Sequence, residues 1–196
     1  MIIAISGPAA AGKGTLARLL AKKLNLPHYD FGLIYRAIGF LEPKHGIDKI
    51  SKYIQKRELR VKDGKIIFRW VDITKLLSSE EVGLKAAKLA SKIPDYLVAT
   101  SQSMVHHRDF VCDGRTCGIE IYPDADYKFH ITANDQERIA RRAEGNKQEK
   151  ETFLTREHLD RSRLKNLSSC TTLDTTNKSV DESLQELLSY LSGRTS

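Results

Sequence analysis

The stretch Gly7-Pro8-Ala9-Ala10-Ala11-Gly12-Lys13-Gly14-Thr15 constrains this chain more than any other. An apolar run, Ile2-Ile3-Ala4-Ile5, precedes it and reads as a buried strand. Leu16, Leu19, Leu20 and Leu24 follow it with helical spacing. Strand, glycine-bounded loop and helix together are the context that a phosphate-binding loop requires. Gly7 and Gly12 permit backbone conformations that a Cβ would block. Curled in this way, the loop turns several N–H groups inward, and the new helix adds its positive end. Lys13 supplies a mobile charge for β- and γ-phosphates. The usual pattern has Ser or Thr straight after the lysine; here Gly14 stands there and Thr15 follows. The alternative is a chance glycine turn between strand and helix, and both flanks and the lysine speak against it.

With 196 residues, 40% of them hydrophobic, the chain suits one substantial α/β core. No run is long and apolar enough to span a membrane, and the N-terminus has no signal-peptide pattern. Cys112, Cys117 and Cys170 make neither a zinc spacing nor a disulfide framework. A reduced, cytoplasmic setting follows. The net charge of +7 suits polyanionic ligands, nucleotides or nucleic acid, without separating the two.

After the first helix, Asn25-Leu26-Pro27 is a stop signal, and His28-Tyr29-Asp30 reads as a short strand. Asp30 and Arg36 then fall just past a strand's carboxyl end, where open α/β sheets bind ligands. Helical character returns through Tyr35, Ala37, Ile38 and Leu41, and Pro43 and Gly46 are predicted to break it. Glu58 to Lys62, Asp63-Gly64 and Lys65 to Trp70 form a hairpin signal, with Asp-Gly as a tight two-residue turn. This β unit reads as an insertion in an α/β pattern. Ser78-Ser79-Glu80-Glu81 starts a helix that runs to Pro94, and a second helix is predicted over Tyr96 to Met104. Strands are predicted at Asp109–Asp113, Tyr127–Ile131 and Thr171–Asp174. Asn134 to Glu137 opens a helix carrying Arg138, Arg141 and Arg142. Ala143 to Thr152 is nearly all polar and reads as a mobile loop or exposed turn. A helix is predicted from Arg156 to Lys165. Ser179 to Glu182 is a capping box for a last helix, with Val180, Leu184, Leu187, Leu188 and Leu191 predicted to face inward.

Several segments together resemble the bacterial cytidylate (CMP) kinases, among the P-loop nucleoside monophosphate kinases. They are Gly7 to Leu16 with its GKGT variant, Asp30-Phe31-Gly32-Leu33-Ile34-Tyr35-Arg36, Asp113-Gly114-Arg115-Thr116-Cys117-Gly118, Tyr122-Pro123-Asp124-Ala125, Glu137 to Arg142, Arg156 through Arg163, and Leu173-Asp174-Thr175-Thr176. The resemblance implies one kinase domain over 1–196: a five-stranded parallel sheet flanked by helices, a nucleotide-binding insertion at 43–108 and a lid at 143–155. It implies ATP and Mg²⁺, with the metal held through phosphates and water and Thr15 as an optional ligand. It further implies nucleotide substrates, no nucleic acid or membrane partner, and a monomer.

Transfer of a γ-phosphoryl group onto a monophosphate joins two polyanions, so charge neutralisation and in-line positioning dominate. Arginine's planar fork suits phosphate oxygens. By resemblance, Gly7 to Thr15 bind ATP, and Lys13, Arg115 and Arg156 are catalytic. Arg36 and Arg115 hold the acceptor phosphate, and Arg141 and Arg142 reach phosphate or adenine. Asp30, Gly32, Tyr35, Ser91, Asp113, Gly114, Asp160 and Arg163 line the acceptor site. Alternatives stay open. Arg138, Arg141 and Arg142 also fit a solvated helix face. Arg156, Asp160 and Arg163 share one face and also fit a surface ion pair. Asp113 fits either the magnesium shell or the orientation of Arg115. His106-His107 has no third metal ligand at sensible spacing and reads as exposed on a helix.

The chain departs from the family where the base would be read. Phe31 replaces a usual serine, Thr116 a usual aspartate, and Asp95-Tyr96-Leu97-Val98 after Pro94 lacks a usual arginine. Phe31 stacking and Thr116 hydrogen bonding would serve either pyrimidine. CMP/dCMP phosphorylation is therefore expected, with relaxed specificity toward UMP or another base as an alternative. A basic P-loop nucleic-acid-binding module is a further alternative, supported by charge alone.

Overall fold

A computed structural model describes residues 1–141, 155 and 167–192. The described strands are β1 (Ile2–Ser6), β2 (His28–Asp30), β3 (Leu59–Lys62), β4 (Lys65–Phe68), β5 (Val71–Asp72), β6 (Phe110–Asp113), β7 (Tyr127–Thr132) and β8 (Thr171–Asp174). The main helices are α1 (Lys13–Leu24), α2 (Phe31–His45), α3 (Ile47–Gln55), α4 (Glu80–Lys92), α5 (Pro94–Gln102), α6 (Asp135–Arg141) and α7 (Val180–Ser192). They belong to two compact units, one of residues 1–29, 107–141 and 167–192, the other of residues 30–106.

The first unit is organised by the predicted five-stranded parallel sheet, in the order β2-β6-β1-β7-β8. Central β1 runs beside β6 and β7, with Ile5 opposite both Asp113 and Phe129 and with Ser6 opposite His130. Helices cover such a sheet on both faces, which is why Ile3, Ala4 and Ile5 are all fully buried. Ile3, Ile5, Phe129, Ile131 and Leu173 pack with Leu16 and Leu20 of α1 and Leu187 of α7. Full burial of each such side chain contributes about 2 kcal/mol. The capping box forms: Ser179 Oγ accepts from the Glu182 N–H at 3.2 Å, and the Glu182 carboxylate accepts from the Ser179 N–H at 2.7 Å. Leu184, Leu188 and Leu191 pack against the core as predicted. Val180 does not; it opens α7 beyond the edge of the core and is exposed. His107 is exposed but lies past the end of α5, where its Nδ1 hydrogen bonds to the Tyr29 hydroxyl at 2.6 Å.

In the second unit, α2 continues through Pro43. Proline there removes one backbone donor in the last turn, too late to end the helix. Gly46 ends it instead, at φ 72°, with its N–H donating to the Glu42 carbonyl at 2.8 Å. Helix α3 was not predicted: its apolar signal is only Ile47, Ile50 and Ile54 among polar residues, and Ile50 and Ile54 are buried. Pro94 occupies the first turn of α5 rather than only ending α4, since its missing N–H is needless there.

The hairpin forms with Asp63 and Gly64 at φ 51° and 72°. Trp70, predicted to lie in the second strand, instead sits in another tight turn, with Arg69 at φ 46° and Trp70 at φ 74°. Strand β5 follows and pairs with β4, giving a three-stranded antiparallel sheet. Left-handed backbone costs a non-glycine residue about 1–2 kcal/mol. Contacts of Arg69 offset this. Its N–H donates to the Glu58 carbonyl at 2.7 Å, its Nε donates to Glu58 Oε2 at 3.2 Å, and its guanidinium lies 4.9 Å from the Tyr53 ring centre. One sheet face buries Leu59 and Ile66; the register places Arg60, Lys62, Lys65, Ile67 and Asp72 on the other.

Candidate active site

Gly7 leaves β1 with φ 147° and donates its N–H to the Arg115 carbonyl at 3.2 Å. A Cβ there would stand 2.1 Å from the Ile131 carbonyl oxygen, so no side chain fits. Three successive loop carbonyls are then held by the surrounding protein. Ala9 O accepts from Arg138 Nη1 at 3.1 Å, Ala10 O from Arg141 Nη1 at 3.3 Å, and Ala11 O from the Thr175 hydroxyl at 3.1 Å. In a planar trans peptide the N–H opposes the carbonyl. Pinning these carbonyls therefore turns the N–H groups of Ala10, Ala11 and Gly12 the other way, as an anion site needs. Lys13 starts α1 and donates from Nζ to the Pro8 carbonyl at 3.2 Å. A cleft of about 610 Å³ adjoins the loop, lined by Gly12, Lys13, Thr15, Arg141, Thr175 and Val180 among others. Thr15 is exposed, and its hydroxyl accepts from Arg18 Nη2 at 3.5 Å.

Arg138 is 7% exposed and also donates to Asp135 Oδ1 at 2.8 Å. Arg141 donates in addition to the Thr175 carbonyl at 3.1 Å and to Glu137 Oε1 at 2.9 Å. The solvated-face reading is thereby corrected for Arg138, which is buried; Arg141 is exposed, and its guanidinium nevertheless bonds the loop.

At the end of β6, buried Asp113 accepts from His28 Nε2 at 2.8 Å. Its Oδ2 lies 3.4 Å from where a Cβ on Gly14 would stand. The Gly114 N–H donates to the Ile5 carbonyl at 3.1 Å, and the Gly118 N–H donates to Ser6 Oγ at 2.8 Å. These bonds fix the Asp-Gly-Arg turn beside the loop. Thr116, expected to hydrogen bond the base, is 1% exposed, and its hydroxyl donates to Glu120 Oε2 at 2.8 Å. Burial removes it as a base reader.

His28, Thr175 and His130 escaped the sequence reading. Thr175 lay in a recognised segment, but only the fold places its hydroxyl under Ala11. His130 sits inside an apolar strand with no local signal. The alternation along β7 puts it on the face opposite Phe129 and Ile131, and its Nδ1 is buried with no hydrogen-bond partner among the described residues. Burial first, and the Lys13 charge second, hold its pKa below the ordinary histidine value.

The second unit holds the other described candidates. Asp30 caps α2, accepting from the Leu33 N–H at 2.9 Å. Arg36 Nη1 donates to the carbonyls of Leu77 at 2.6 Å and Ser79 at 2.9 Å. Gly32 and Tyr35 lie on the first turns of α2, half-buried. Ser91 donates from its hydroxyl to the Ala87 carbonyl at 3.1 Å. Phe31, expected to stack on the base, is 1% exposed. Its ring belongs to the core, so it offers no stacking face. Arg142, Arg156, Asp160, Arg163 and nearly all of the expected lid, 143–155, lie outside the described residues. Among the described residues no cluster of His, Cys, Asp or Glu could by itself hold a metal, and no helix is long and apolar enough to cross a membrane.

A crystal structure of a protein from Thermus thermophilus shares this fold, with a TM-score of 0.52 at 17% identity over 100% of this chain and 98% of that one. Sequence relatives are nearer. A cytidylate kinase of Shouchella clausii is 33% identical, over 95% of this chain and 93% of its own. One of Aquifex aeolicus is 32% identical, over 99% and 97%. The model of the cytidylate kinase family matches residues 3–193, a span that includes the pinned loop, the Asp-Gly-Arg turn and the three-stranded insertion alike. With loop, turn and insertion joined in one match over nearly its whole length, the chain belongs to the cytidylate kinase family.

Proposed function

We propose that this kinase transfers the γ-phosphoryl group of ATP to CMP or dCMP by direct in-line displacement. Membership of the family supports the substrates, and the pinned phosphate loop is the observation that carries the chemistry. Its N–H groups and Lys13 cradle the ATP phosphates. Lys13 follows the charge that shifts toward the β–γ bridge, and Arg115 and Arg156 neutralise the transferring group. Arg36 and Arg115 take the acceptor phosphate, and Asp160 and Arg163 take sugar and base. Arg141 and Arg142 approach the phosphates or adenine as the 143–155 lid closes over the 43–108 insertion's nucleotide. No strong general base is required, because the acceptor oxygen is already ionised near neutral pH.

Magnesium fits the donor set in one way. With Gly14 in place of a hydroxyl residue and no metal-ligand cluster among the described residues, those residues supply no cage. Nucleotide phosphates and water would hold the ion, with the Asp113 carboxylate and Thr15 hydroxyl as outer partners. When bound it neutralises β- and γ-oxygens. Three cysteines outside any disulfide, two of them buried, accord with a reducing, cytoplasmic setting.

A second reading concerns the base. Phe31 and Thr116 are buried, and Tyr96 hydrogen bonds to the Ile47 carbonyl at 3.1 Å in packing α5 onto α3. Of the positions that depart from the family, only Asp95 leaves an exposed polar side chain, a single carboxylate where the family has an arginine. Discrimination between CMP and UMP is weakened accordingly. ADP release with CMP, dCMP, UMP, AMP and GMP tests both readings. Turnover with none of them, from folded protein, overturns the kinase reading. A kcat/KM ratio for CMP over UMP above about 10³, some 4 kcal/mol, overturns the relaxed one.

A further inference from the structure

The three-stranded sheet carries a surface on which none of the candidate site residues stands. Residues 52–75 hold eight Lys or Arg against three Asp or Glu, most of the chain's net charge of +7. On its outward face stand Arg60, Lys62 and Lys65, with Lys65 Nζ 3.4 Å from Asp72 Oδ2. Trp70, the chain's single tryptophan, is 84% exposed at the adjoining turn. Its ring is held rather than loose. The backbone at Arg69 and Trp70 is left-handed, and the Arg60 guanidinium lies 4.7 Å from the ring centre while donating to the Arg57 carbonyl at 2.7 Å. An aromatic plate beside a row of cations matches one chemistry closely: a base stacked on the plate and phosphates on the cations.

We propose that this face binds single-stranded polynucleotide, with Trp70 as the stacking plate and Arg60, Lys62 and Lys65 as the phosphate track. An anionic membrane is the weaker match, because the outward face carries Asp72 among its cations and its only apolar member, Ile67, is half-buried, which leaves Val71 alone beside Trp70 to insert. The inference does not depend on which monophosphate the kinase accepts.

Trp70 fluorescence reports the event directly. Titration of the full chain with an oligouridylate of about 15 nucleotides is expected to quench it saturably. The affinity should fall with salt at a log–log slope of about −2, for three phosphates on a single strand. Excess ATP and CMP should leave the titration unchanged. By anisotropy of a labelled oligomer, Trp70→Ala should bind about tenfold more weakly, while Trp70→Phe keeps most of the affinity. Phosphotransfer by both variants should equal that of the parent, which also shows that they fold. The proposal is overturned by absence of saturable quenching, by displacement with CMP, or by equal binding of heparin with no loss in Trp70→Ala. A larger spectral shift with phosphatidylserine vesicles than with oligomer would overturn it in favour of a membrane.

Discussion

The phosphate loop and the Arg69-Trp70 turn both force the chain through left-handed backbone, yet they do so in opposite ways. The loop places glycine at two of its three such positions, Gly7 and Gly12, with Ala10 the third. Its conformation is then over-determined by three donors that arrive from residues 138, 141 and 175. The turn uses two large side chains and is braced locally, mainly by Glu58 and Tyr53. Where the backbone itself does the binding, side chains are removed and the carbonyls are tied back. Where side chains are to be presented, the backbone tolerates strain to present them. Substitutions in the first region should therefore cost chemistry, and those in the second should barely touch it.

The sharpest break is Lys13→Ala. A lost charge contact at a developing negative charge should lower turnover by about 10²-fold or more, with melting unchanged. Near-parental turnover would remove Lys13 from the mechanism. Next comes Arg138→Ala, which removes the guanidinium bond to the Ala9 carbonyl. Losing a buried, charge-assisted bond should cost about 2 kcal/mol in urea unfolding and should also raise KM for ATP. A stability loss without any effect on ATP would show that the loop keeps its shape without this tie.

His130 gives a pH test of the same region. Burial holds its folded pKa below the ordinary histidine value, so the unfolded chain binds the proton more readily. Its contribution to stability is complete above about pH 6.5 and is lost as pH falls below it. Urea midpoints between pH 7.5 and 5 should fall less in His130→Phe than in the parent. Parallel profiles would contradict the assignment. The smallest effect is expected at the other region. Trp70→Gly relieves one left-handed residue but loses the Arg60 stack and adds chain entropy, so stability should move by no more than about 1 kcal/mol. A larger loss would mean that the turn is structural rather than presenting.

Much of the first unit was legible because its signals are local. Gly7 to Lys13, the apolar β1 and the Ser179 capping box each announce themselves within a few residues. The ties on the loop were not legible, since Thr175 and Ala11 are 164 positions apart and nothing near either marks the pairing. In the second unit, Asp63-Gly64 named its own turn, whereas Arg69-Trp70 has no glycine or asparagine to name it. Phe31 and Thr116 failed as base readers for a related reason. A motif fixes the path of the backbone, but burial of each side chain is decided by what packs around it.

The tie from Thr175 also bears on the order in which the molecule is made. The central strand and its loop are synthesised first, but their last donor sits on the segment that follows the final strand, β8. A nascent chain released short of that point would carry every residue of the phosphate loop and still leave the Ala11 carbonyl untied. Capture of nucleotide by the loop thus reports that the far end of the chain has arrived and docked. Released chains truncated before Thr175 should fail to retain ATP that the full chain retains, whereas Thr175→Val in the full chain isolates the hydroxyl's own share.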